Sequence, residues 1–84
     1  MKEIYIGNLL YLVTADDLRE LFEPYGAVRD VRVIAEREPR HPHAYAFVDM
    51  DDREAAGAIA ALDGVDFMGR TLRVEESMSE LAFA

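Results

Sequence analysis

The run His43-Ala44-Tyr45-Ala46-Phe47-Val48-Asp49-Met50 alternates without a break, and this constrains the fold more than any other feature of the chain. Ala46, Val48 and Met50 fall on one side, and His43, Tyr45, Phe47 and Asp49 on the other. A strand separates side chains with a period of two, whereas a helix would scatter the same residues around its axis. The run therefore predicts a half-buried strand whose second face carries two aromatic rings. Glu3 to Gly7 repeats the pattern in miniature, with Ile4 and Ile6 inward and Tyr5 outward.

Between these two runs the spacing becomes helical. Asn8 to Val13 reads as a connection, and Thr14 with Asp17 forms a capping-box pair that opens a helix. Leu18, Leu21, Phe22 and Tyr25 recur along one face of it until Gly26 stops it. Ala27 to Ala35 is rich in β-branched residues and predicts a strand with Val28, Val31 and Val33 in the core. Residues 36–42 are charged, hold two prolines and predict a loop. After the alternating run, Asp51 or Asp52 can cap a second helix with an apolar stripe of Ala55, Ala56, Ile59, Ala60 and Leu62, ended by Gly64. Following a connection over 65–69, Arg70 to Val74 predicts a last strand with Leu72 and Val74 inward.

The order β-α-β-β-α-β predicts an α+β domain of the ferredoxin-like split β-α-β type: a four-stranded antiparallel sheet with two helices on one face. Residues 1–76 form the expected domain, and 77–84 a tail. Ser77 and Glu80 are again spaced as a capping box, so the tail is expected to form a short helical turn or to fray. Eighty-four residues suffice for one domain, and 51% hydrophobic content suffices for its core. The absence of cysteine excludes disulfides, thiolate metal sites and a cysteine nucleophile. The N-terminus enters a strand pattern at once, and no run approaches the roughly 20 apolar residues of a membrane span. A cytoplasmic protein without a membrane partner is the expectation.

A sheet with helices on one face ordinarily presents polar residues on the other. Here Tyr5, Tyr45 and Phe47 point to that open face, and the first and third strands are central neighbours in this topology. An exposed aromatic cluster suits a ligand that stacks, and bases do so. The motifs agree. Ile4-Tyr5-Ile6-Gly7-Asn8-Leu9 and His43-Ala44-Tyr45-Ala46-Phe47-Val48-Asp49-Met50 resemble the six- and eight-residue ribonucleoprotein motifs of the RNA-recognition-motif family. Residues 14–22, Tyr25-Gly26, Leu62-Asp63-Gly64 and 69–74 also resemble its helices and last strand, so the likeness spans nearly the whole chain. The resemblance implies that Tyr5 and Phe47 each stack a base and that Tyr45 lies against the sugars. It implies Asn8 as a further contact within the first motif. His43 replaces the Lys or Arg that pairs with a phosphate in the family, Ala44 replaces a glycine and Met50 an aromatic. Arg32 and Arg73 join the candidates because alternation puts them on the ring-bearing face.

The net charge of −8 is unusual for a nucleic-acid binder. Residues 14–25 carry −3 and residues 51–64 another −3, whereas 26–50 are balanced, so the acidity gathers on the helices and the ring-bearing face is expected to be roughly neutral. The expected partner is single-stranded RNA, with single-stranded DNA as a second candidate, bound with modest affinity. The alternative is a protein-interaction module using the acidic helices or a covered sheet. No paired carboxylates, nucleophile–base pair or glycine-rich phosphate loop points to an enzyme. No cofactor is implied, and His41 and His43 without convergent carboxylates do not predict a metal site.

Overall fold

A computed structural model describes residues 1–36 and 43–77. Strand β1 spans Lys2–Leu9 and helix α1 Ala15–Phe22, followed by a 3-10 turn over Glu23–Tyr25. Strands β2 (Val28–Glu36) and β3 (His43–Met50) precede helix α2 (Asp52–Leu62). Short strands β4 (Asp66–Phe67) and β5 (Arg70–Thr71) lead into β6 (Arg73–Glu76). The main sheet has four antiparallel strands in the order β2-β3-β1-β6, with β4 and β5 paired separately. The expected fold class is therefore observed, with the two-stranded hairpin added to it.

The inward face of the sheet is the predicted one. Ile4, Ile6, Ala46, Val48 and Met50 have no solvent exposure, and Leu72 and Val74 are at 1%. Val28, Val31 and Val33 pack against this core from β2 while remaining partly exposed. Strand β1 runs further than its alternation suggested. Asn8 adopts φ 63, the ladder with β3 shifts register between Ile6 and Leu9, and Leu9 re-enters the core. One left-handed residue thus inverts the alternation and recovers an apolar side chain that would otherwise face water.

The capping box at the start of α1 is present in both directions: Thr14 Oγ1 accepts from the Asp17 amide at 3.1 Å, and Asp17 Oδ2 accepts from the Thr14 amide at 3.0 Å. Leu18 and Phe22 are fully buried. Pro24 tightens the chain into a 3-10 turn, which leaves Tyr25 outside the helix and 38% exposed rather than on its apolar stripe. Gly26, at φ 152, lies against Glu54 of α2 so closely that a side chain there would collide with it. In α2 the buried residues are Ala55, Ala58 and Leu62, with Ile59 partly buried, while Ala56 and Ala60 are exposed. The expected stripe is corrected by about one residue, because Leu62 rather than the alanines decides which face turns inward. Asp51 occupies the cap position without a side-chain bond, and Asp52 pairs with the N-terminal amine at 2.9 Å.

The connection expected over 65–69 is instead the start of a hairpin. Met68 and Gly69 have φ 53 and 82, the consecutive positive values of a tight two-residue turn whose twist matches that of its strands. The final strand reaches Glu76, and the Ser77 amide extends its ladder by donating to the Glu3 carbonyl at 2.8 Å. Of the expected loop over 36–42, Glu36 is instead the last residue of β2, and 37–42, like the expected turn beyond Ser77, lie outside the described residues.

Candidate nucleic-acid interface

The ladder between β1 and β3 sets Tyr5 directly opposite Phe47, and Tyr45 comes two residues earlier on β3. The three ring centroids form a nearly equilateral triangle: 5.9 Å from Tyr5 to Phe47, 6.0 Å from Phe47 to Tyr45 and 6.2 Å from Tyr45 to Tyr5. Tyr45 and Phe47 meet edge to face at 89°, and Tyr5 is tilted against both. Aromatic pairs at this separation support each other. All three rings are half-buried, on the side of the sheet away from the helices. Ile34 of β2, opposite Tyr45 and also half-buried, extends the apolar patch.

Two further residues shape the patch. Gly7 is buried beneath the Tyr5 ring, where a methyl group would sit 2.7 Å from the Tyr5 hydroxyl oxygen and 2.9 Å from a ring carbon. Its role was visible in the sequence only as a glycine two residues after an outward tyrosine. Arg32 of β2 lies opposite Phe47, with its guanidinium carbon 5.5 Å from the ring centroid. Glu3 contacts it at 2.6 Å, Asp30 at 3.3 Å and Asp49 at 3.4 Å. The hydrogen bond to Glu3, aided by the charges of Asp49 and Asp30, holds the guanidinium pKa above its ordinary value.

The structure thus unites Tyr5, Tyr45, Phe47 and Arg32. Arg73 stands on the same face at the β6 edge, opposite Gly7, and has no ion pair among the described residues. Asn8 turns to the hairpin instead: its side-chain amide donates to the Thr71 carbonyl at 2.7 Å, and its side-chain oxygen accepts from Arg70 at 2.7 Å. Arg70 also donates to the Asn8 backbone carbonyl at 3.0 Å, so Asn8 and Arg70 latch the end of β1 to β5. His43 opens β3 opposite Glu36, and its side chain lies outside the described residues, as do Arg37, Arg40 and His41. The expectation of a neutral face is corrected. Strand register collects four carboxylates there (Glu3, Asp30, Asp49 and Glu75) against two arginines among the described residues.

The sequence profile of the RNA recognition motif matches residues 4–73. The chain belongs to that family. Among relatives of this RNA recognition motif protein is RbpA of Nostoc sp., named for RNA binding, 45% identical over 75 residues that make up 88% of this chain and 74% of that one. The crystal structure of RNA Binding Protein PG1 superposes with a TM-score of 0.82 at 42% identity, covering 93% of this chain and 95% of that one. The third RRM domain of Mip6 gives a TM-score of 0.79 at 27% identity, over 92% and 94% of the two chains.

Proposed function

We propose that this protein is a single-stranded RNA-binding module that stacks bases on Tyr5 and Phe47, braces sugars against Tyr45 and performs no chemistry of its own. The observation that carries this reading is the ring triangle on the open face, with sides near 6 Å. The names of RbpA and PG1 support it. Base–aromatic stacking contributes about 1–3 kcal/mol per base and needs no particular sequence. Such a patch accommodates about two to four nucleotides of an unpaired strand. Arg73 is the cation best placed for a phosphate, and His43 is a second candidate by motif position alone. Four carboxylates on the same face oppose phosphate, which favours modest affinity.

The test is a double substitution, Tyr5→Ala with Phe47→Ala, titrated against randomised short RNA and DNA pools. Neither ring contributes to the helix-covered core, so circular dichroism should stay native while RNA affinity falls by about 2–5 kcal/mol. Unchanged affinity in a folded variant would sink the stacking model. Module action through the acidic helices requires nothing of these rings, so it predicts that a protein-bound state survives the same double substitution. The parallel DNA titration separates the two nucleic acids through the 2′-hydroxyl.

A further inference from the structure

Arg32 has the position of a nucleic-acid contact but the surroundings of a neutralised charge. Its Nε faces Asp30, and its Nη2 is shared by Glu3 and Asp49. These carboxylates come from β1, β2 and β3, so the guanidinium is tied to three strands at once. All five N–H donors of an arginine lie in the guanidinium plane, and ion pairs of this kind engage its edge. The two faces are left for other contacts. The guanidinium carbon lies 5.5 Å from the Phe47 ring centroid, beside the ring, and the side chain as a whole is 47% exposed.

A phosphate approaching this arginine would meet three carboxylates around one cation, a net repulsion in the immediate vicinity. A neutral base meets no such barrier, and a guanidinium plane is a surface on which bases stack. The tether matters for that purpose. A free arginine loses considerable rotamer entropy when it is pinned by a ligand, whereas this one is already held in place.

Resting on the single-strand reading above, we infer that Arg32 is a stacking residue of the Phe47 subsite, its plane presented to a base by Glu3, Asp30 and Asp49, and not a phosphate anchor. The subsite therefore takes a base without taking its phosphate, and its contribution to binding is insensitive to salt.

Two substitutions test this, Arg32→Lys and Arg32→Gln, each titrated with a randomised RNA octanucleotide pool at several salt concentrations. Lysine keeps the charge and loses the plane, so Arg32→Lys should weaken binding by about three- to tenfold, with the slope of log affinity against log salt unchanged. Arg32→Gln should leave the slope unchanged as well. Wild-type affinity in Arg32→Lys would overturn the inference. So would a slope shallower by about 0.7 in Arg32→Gln, the signature of one lost phosphate contact on a single strand. Thermal melts accompany both titrations, and if Arg32→Lys unfolds early the Arg32→Gln slope alone decides. Failure of the wild-type protein to bind the pool would remove the function proposal itself, whereas binding with the altered slope removes only the role of Arg32.

Discussion

At Gly7 one added carbon would meet the Tyr5 hydroxyl oxygen at 2.7 Å and two ring carbons at 2.9 and 3.0 Å. The obstruction is the far end of a side chain that can swing, not backbone, so a substituent there should move the ring without breaking the strand. Gly7→Ala is accordingly expected to cost RNA affinity about 1 kcal/mol, the lower end of one stack, while the melting temperature stays close to wild type. Titration and a thermal melt on the same sample check both halves, and full affinity in the variant would mean that the ring's position along β1 does not matter. Tyr5 and Phe47 were legible from alternation and motif together, because both signals are local. The surroundings of Arg32 were not. Glu3 and Asp49 lie 29 and 17 residues away in the chain, and only the pairing of β1, β2 and β3 gathers them.

At the scale of elements, the sequence spoke clearly wherever a pattern was local and strong. The Thr14–Asp17 box marks the start of α1 because both partners sit within one turn. In α2 the signal was dilute: five alanines fit either face, and only Ile59 and Leu62 have enough apolar area to choose. The β4–β5 hairpin was missed because its turn residues are Met68-Gly69 rather than the Asn-Gly pair such turns favour. Methionine at φ 53 carries a strain that asparagine largely avoids. Met68 is also 46% exposed, so replacing it removes little packing. Met68→Asn is expected to stabilise the protein by about 0.5–1 kcal/mol, a rise of roughly 2–8 °C in a melting curve for a domain of this size. A lower midpoint would show that Met68 packs more than it strains.

Across the whole molecule, most of the charge of −8 lies on residues 14–25 and 51–64, the segments of the two helices. An approaching polyanion is repelled from that side and arrives with least opposition at the sheet. On the sheet, Arg73 is the cation without an ion pair among the described residues, so binding should depend on salt with a slope of only about −0.7, one phosphate on a single strand. Arg73→Ala should bring that slope close to zero and weaken binding alike for every RNA sequence. A slope that survives the substitution would place the phosphate contact elsewhere.

The order β2-β3-β1-β6 puts Tyr5 and both β3 rings on the two inner strands, whose backbone groups are paired on either side. Inner strands open only with the cooperative unit as a whole, whereas outer strands fray. The amides of Tyr5, Tyr45 and Phe47 should therefore be among the slowest to exchange with deuterium, approaching the rate set by global unfolding. On the proposed role, the ring cluster then costs almost no ordering when a ligand arrives, unlike a surface assembled on loops. Arg32 and Arg73, by contrast, stand on the outer strands β2 and β6, and Arg73, without an ion pair among the described residues, is the one whose substitution disturbs little else. The scaffold thus divides into a rigid ring cluster and a retunable margin, and on the proposed stacking role a change of ligand preference can be engineered at the margin without touching the three rings.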